Sequence, residues 1–256
     1  MARFEVFQFP ILADNYAVLL HDPDSGLTAA IDAADADTIA GALRARGWRL
    51  TDIFVTHHHG DHTAGVAALK QQSGAKVHGP AADTVAIPSL DKPLKGGTRF
   101  RFSGAEVAVI DAPGHTSGHI VYHFPEDRLA FVGDVLFSLG CGRVIEGTME
   151  EMWTSLDTLR RLPPETAVYC GHEYTLANAR FALTVEPGNP ALQKRAEEVA
   201  ALRAKSLPTL PTTIGAERAA NPFLRPESAE IRKVLGMRDA TDAEVFAELR
   251  ERKNRA

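Results

Sequence analysis

Short apolar runs alternate with helical stretches over the first two-thirds of the chain. Phe4–Phe9, Tyr16–Leu20 and Thr28–Ile31 carry the pattern of strands, separated by polar turn formers such as "DPDSG". "DADTIAGALRARG" changes to the helical period, with an Asp or Thr cap and Gly47 as its stop. "DIFVT" is a short buried strand that runs straight into "HHHGDH", and "AGVAALKQQSG" is the next helix, ending near Gly74. "AKVHG", "TRFRF", "EVAVIDA", "HIVYHF" and "RLAFVG" are strand-like. After "TAVYCGHEY" the character changes. "TLANARFALTV", "PALQKRAEEVAALRAK", "ESAEIRKVLGM" and "DAEVFAELRERK" are helical, with "EPGNP" and "SLPTLPTTIG" between them. The expected organisation is a mixed α/β domain over residues 1–173 and a small α-helical domain over residues 174–256.

A length of 256 residues is enough for a sizeable core, and 45% hydrophobic with 24% charged residues is the balance of a soluble globular chain. The net charge of −5 argues against non-specific nucleic-acid binding, which needs a basic face. No apolar run is long enough to span a bilayer, so no membrane partner is expected. "MARFEVFQFPIL" alternates like a strand and carries Glu5 and Gln8, so it does not read as a signal peptide. Cys141 and Cys170 are far apart and form no CxxC pair. Reduced thiols in a cytoplasmic protein are therefore expected.

The chemistry lies where strands end. "DIFVT" leads to His57, "EVAVIDAPG" to His115, "RLAFVG" to Asp134 and "AVYCG" to His172. Each delivers a His or Asp at a strand's C-terminal end, where loops gather into a site. Alternate residues of an extended segment point the same way, so His57 and His59 can share a metal while His58 faces elsewhere. Asp61 and His62 follow the turn at Gly60. Imidazole and carboxylate donors suit zinc or iron, whereas an all-oxygen site would suit magnesium or calcium. Neither "GHTSGH" nor "GCGR" forms a nucleophile elbow. Asp32, at the end of "TAAIDA", is a candidate support for a ligand, and His119 either orients a ligand or satisfies the backbone. His21, His78 and His123 read as ordinary strand or turn histidines, and Cys141 as a small packing residue.

H-x-H-x-D-H followed by a later His, Asp and His resembles the metallo-β-lactamase superfamily. The resemblance implies a four-layer α/β/β/α sandwich. It also implies two divalent metals, most simply zinc, with iron or manganese as alternatives. His57, His59 and His115 would hold one metal and Asp61, His62 and His172 the other, with Asp134 bridging. Asp61 and Asp134 would be the catalytic carboxylates around a metal-held hydroxide.

"LFSLGCGRVIEGT", "VYCGHEYTLANARFALTVEPGN", "ANPFLR" and "LRERKN" are similar to the glyoxalase II (hydroxyacylglutathione hydrolase) family, and the likeness runs over essentially the whole chain. It implies hydrolysis of a glutathione thioester, S-D-lactoylglutathione, in methylglyoxal detoxification by a monomeric enzyme. Arg143, Tyr174, Arg250 and Lys253 match the family's glutathione contacts. The residue types suit the ligand. Arginine forks onto a carboxylate, lysine offers a point charge, and tyrosine gives a hydroxyl on a flat ring. One position departs from the family pattern: Ile145 stands where an aromatic is usual, and its ring contact is lost. The alternatives to this function are a single-iron glutathione-persulfide dioxygenase, another hydrolase on the same scaffold such as a phosphodiesterase or lactonase, and a non-catalytic module binding metal and glutathione conjugates.

Overall fold

In the computed structural model, which describes residues 3–87 and 89–256, the chain gathers into two units. One comprises residues 1–111 and 116–133, the other residues 112–115 and 134–256. The expectation of no leader rests in part on Met1 and Ala2, which lie outside the described residues.

The first unit runs β1 (Glu5–Ile11), β2 (Asn15–His21), β3 (Leu27–Ile31), α1 (Ala36–Arg46), β4 (Arg49–Phe54), α2 (Gly60–Thr63), α3 (Val66–Ser73), β5 (Lys76–Pro80), β6 (Lys92–Leu94), β7 (Arg99–Phe102), β8 (Ala105–Asp111), β9 (Ile120–Phe124) and β10 (Leu129–Gly133). Strands β1 to β6 form one sheet in chain order, antiparallel through β3 and parallel beyond it. Parallel neighbours need a crossover, and α1 and α3 supply it between β3, β4 and β5. Strands β7 to β10 make an antiparallel meander.

The two-residue period of β4 and the residue after it decides what each side chain meets. Ile53 and Val55 pack with Ile39, Leu43, Val66 and Leu69 from the helices. Phe54 points the other way, edge-on to Phe100 at 5.7 Å and Phe102 at 5.3 Å and stacked with Tyr122 at 5.1 Å. The Tyr122 hydroxyl donates to the Val55 carbonyl at 2.9 Å, so the two sheets are joined face to face at this strand. Helix α1 starts where Asp35 accepts from the Thr38 amide at 2.8 Å and stops at Gly47, whose φ of 67° suits glycine.

The second unit contains β11 (Leu136–Phe137), β12 (Gly140–Cys141), α4 (Met149–Leu159), β13 (Ala167–Cys170), α5 (Thr175–Val185), α6 (Pro190–Arg203), β14 (Thr212–Thr213), α7 (Ile214–Ala220), α8 (Ala229–Leu235) and α9 (Asp242–Asn254). Its aromatic centre stacks Phe223 on Phe181 at 5.8 Å, with Phe246 edge-on to Phe223 at 6.2 Å. The sequence reading finds α5, α6, α8 and α9 but passes over α4 and α7. Helix α4 opens with a reciprocal cap between Thr148 and Glu151, a signal present in "TMEE". Among the described residues, no helix is long and apolar enough to cross a membrane.

Candidate metal centre

Past β4 the chain leaves regular structure from Val55 to His59, then enters α2 at Gly60. The rings of His57 and His59 meet at 4.9 Å, and that of His62 lies 4.1 Å from His57. His58 turns aside, with its Nδ1 3.1 Å from an Asp83 carboxylate oxygen, as the alternation predicts. The Oδ2 of Asp61 lies 3.7 Å from His62 Nε2 and accepts from the Asn15 amide at 3.1 Å. His119 is buried, with its ring stacked 4.7 Å from that of His57.

Asp32 organises this cluster. Its Oδ1 accepts from the Thr56 amide at 2.7 Å, and the Thr56 hydroxyl donates to Oδ2 at 2.9 Å. The same Oδ2 lies 2.8 Å from His62 Nδ1. Asp32 holds a φ of 56°, a left-handed conformation that Asp tolerates better than most residues. It thus supports His62, one of the roles the sequence left open for it.

In the second unit, His115 is set by α4 and by the segment after β12. The Ser155 hydroxyl donates to the Pro113 carbonyl at 2.8 Å. Gly114, at φ 135°, lies so close to Met152 that a Cβ would stand 2.6 Å from its side chain. His115 Nδ1 donates to the Arg143 carbonyl at 2.8 Å, and its Nε2 lies 3.5 Å from Asp134 Oδ2. His172 Nε2 approaches the same carboxylate oxygen at 3.2 Å. One buried carboxylate flanked by two imidazole nitrogens is the arrangement expected of a ligand shared between metals.

The hydrogen bonds identify the tautomers. A carbonyl only accepts, so His115 carries its proton on Nδ1 and presents the Nε2 lone pair. The Asp32 carboxylate imposes the same choice on His62. The Thr56 hydroxyl spends its proton on Asp32 and therefore accepts from His57 Nδ1 at 3.0 Å. With Nδ1 engaged in this way, Nε2 is the nitrogen that His57, His62 and His115 would each turn to a metal. The donor set fits zinc, iron or manganese.

The candidate substrate contacts lie in the second unit. The Tyr174 ring stacks on His172 at 4.8 Å with the planes 5° apart, and Phe137 meets it edge-on at 5.3 Å. Arg143 is exposed, as is Ile145 at 51%. Lys253 lines a cavity of about 560 Å³ with Arg180, Phe181 and Arg252, and its Nζ donates to the Ala177 carbonyl at 3.3 Å. Burial and the neighbouring Arg250 hold the Lys253 ammonium below its ordinary pKa. Arg250 is only 4% exposed and donates to the Cys141 carbonyl at 2.9 Å, so it also ties α9 to β12.

A larger cleft of about 830 Å³ lies elsewhere in this unit, lined by Arg160, Arg161, Arg218 and Arg225. Three of these arginines already pair with Asp157, Glu227 or Glu186. The other histidines are structural: His21 bonds Thr28 at 2.9 Å and His78 bonds Asp52 at 2.8 Å. Cys141 and Cys170 are buried thiols, both pushed up by burial.

The family model described as "Metallo-beta-lactamase superfamily" matches residues 24–172, and that described as "Hydroxyacylglutathione hydrolase C-terminus" matches residues 173–256. The chain is 54% identical over 250 residues to a hydroxyacylglutathione hydrolase of Methylococcus capsulatus, covering 98% of both. It is 53% identical over 254 residues to one of Rhizobium meliloti, covering 99% of both. Among solved structures it is similar to TTHA1623 in a di-iron-bound form, at 26% identity and a TM-score of 0.61, over 85% of this chain and 100% of that one.

Proposed function

The chain belongs to the hydroxyacylglutathione hydrolase family of the metallo-β-lactamase superfamily, and on that premise we propose that it hydrolyses S-D-lactoylglutathione to D-lactate and glutathione, in methylglyoxal detoxification. His57, His59 and His115 would hold one divalent ion and Asp61, His62 and His172 a second, with Asp134 as a ligand common to both. Zinc is the proposed metal, and the same donors accept iron or manganese. When bound, the pair supplies hydroxide near neutral pH and polarises the thioester carbonyl.

The protein's own groups do the rest. Asp32, Thr56 and the Arg143 carbonyl orient three of the histidines, His62, His57 and His115. Arg143, Tyr174, Arg250 and Lys253 bind and orient glutathione, which brings two carboxylates and peptide amides. The departing thiolate, whose conjugate thiol has a pKa near ~8.5, needs no dedicated acid. Residues 1–173 thus carry the chemistry and contribute Arg143 to glutathione recognition, and residues 174–256 supply its other contacts. The proposed setting is the cytoplasm, where the two unpaired cysteines stay reduced, and the proposed state is a monomer.

The observation that carries the reading is the Tyr174 ring lying flat on His172. It sets a substrate-recognising face directly against a metal donor. The test is loss of thioester absorbance with S-D-lactoylglutathione, with and without chelator. Chelator-sensitive hydrolysis is expected. No hydrolysis, or oxygen uptake with glutathione persulfide in its place, overturns the reading.

A further inference from the structure

Glu217 on α7 is 1% exposed, yet no step above uses it. Its Oε2 accepts from the Leu139 amide at 2.8 Å and the Asn221 side-chain amide at 2.9 Å. Its Oε1 accepts from the hydroxyls of Ser138 at 3.0 Å and Thr212 at 2.6 Å. Asn221 donates onward to the carbonyls of Phe137 at 3.1 Å and Gly140 at 2.9 Å. Asn178 on α5 donates to the Ser138 carbonyl at 3.1 Å. Burial pushes the Glu217 carboxyl up, against the hydrogen bonds that favour its charged form.

These bonds converge on the hairpin β11–β12, a two-stranded element whose turn holds Leu139 at a φ of 58°. So short a hairpin has no independent stability. Its polar groups are instead met by side chains from α5, α7 and the residue after α7. The hairpin begins two residues after Asp134 and ends two before Arg143. At its base the Gly142 amide donates to the Val135 carbonyl at 3.1 Å, and a Cβ on Gly142 would stand 1.9 Å from the Asp134 carbonyl oxygen. Where the hairpin sits therefore determines where Asp134 begins and where the carbonyl that accepts from His115 ends up.

We propose that Glu217 and Asn221 are positioning residues of the metal centre: acting through the Leu136–Cys141 hairpin, they set the Asp134 carboxylate and the Arg143 carbonyl that orients His115. This rests on the metal-centre reading above. It gives the helical segment a second task beside recognising glutathione, which is to hold one side of the metal site in register.

The test compares Glu217→Ala with Glu217→Gln, each loaded with cobalt(II) and read by visible absorption as well as kcat. The alanine variant loses every acceptor. In the glutamine variant the amide oxygen takes the Leu139 and Asn221 donors, and its NH2 donates to the two hydroxyls. Glu217→Ala is expected to shift the cobalt bands and lower kcat about tenfold or more, and Glu217→Gln to restore both. Val199→Ala, a cavity in α6, is expected to lower Tm while leaving the cobalt spectrum and kcat as they are.

If Glu217→Ala does not fold, Asn221→Ala, which removes the donor to the Phe137 and Gly140 carbonyls, is read in the same way against Val199→Ala. A folded Glu217→Ala or Asn221→Ala protein with the wild-type spectrum overturns the proposal. So does a spectrum shifted equally by Val199→Ala, or a glutamine variant no better than alanine. Wild-type protein that binds cobalt but leaves the thioester intact fails the functional reading instead, and the spectra still decide the positioning role.

Discussion

Asp32 Oδ2 lies 2.8 Å from Nδ1 of His62, across 30 positions of chain. The same carboxylate holds the Thr56 amide and hydroxyl, and Thr56 holds His57. One side chain thus reaches two candidate metal donors, His62 directly and His57 through Thr56. Asp32→Ala is expected to weaken metal binding about ten- to hundredfold, measured by competition with a chromophoric chelator. Wild-type affinity in that variant would mean that the tautomers are held by other contacts.

Asp134 is the carboxylate that both His115 and His172 approach. Asp134→Ala is expected to lower the metal content per chain and to abolish hydrolysis. Retained turnover would rule out a bridging role and with it the two-metal scheme.

Lys253 and Arg250, both matching glutathione contacts in the sequence, occupy different settings. Lys253 is half-buried beside a cavity, whereas Arg250 is buried against Cys141 and its guanidinium lies 5.3 Å from the Phe223 ring centroid. Lys253→Ala is expected to raise KM about ten- to hundredfold with kcat nearly intact, the signature of lost ground-state binding. Arg250→Ala should raise KM and also destabilise the fold by about 1–3 kcal/mol, because a buried carbonyl loses its donor. Thermal denaturation beside steady-state kinetics separates the two. Equal Tm values for both variants would remove the structural role of Arg250.

His123 on β9 is held below the usual imidazole value of 6.5 by burial, with a further push from Arg99. Its protonated form is therefore disfavoured by folding. Above 6.5 the group is neutral in both states and its contribution is complete. As the pH falls through 6.5 toward the lower folded value, the unfolded chain takes up a proton first and stability is lost. Tm is expected to fall over that window, and His123→Phe to flatten the fall. An unchanged slope in the variant would assign the loss to other groups.

Much of the candidate metal site was legible because its candidate donors follow a local rule. Strand ends place residues at a sheet edge, and H-x-H-x-D-H compresses four donors into six positions that differ in direction by backbone alternation alone. Helices α1, α5, α6 and α9 were equally legible from caps and period. Helix α4 was missed although Thr148 and Glu151 announce it, and with it the anchor of His115 at Pro113. Glu217 carries no signal that pattern reading can use, and Asn221 lies in "ANPFLR", which marks the family but no role for the residue. A buried glutamate in a short helix looks like any surface glutamate until its partners Leu139 and Ser138, 78 and 79 positions away, are known.

The sequence by itself therefore determined the residue types, their order and the chemistry they permit, since coordination depends on donor identity and local spacing. Tertiary structure decided what Nδ1 of His57, His62 and His115 bonds to, that Arg250 is buried against a backbone carbonyl, and that side chains from the helical segment hold the hairpin after Asp134. Those facts depend on contacts between residues far apart in the chain, and no local period or motif encodes the direction from which a partner arrives.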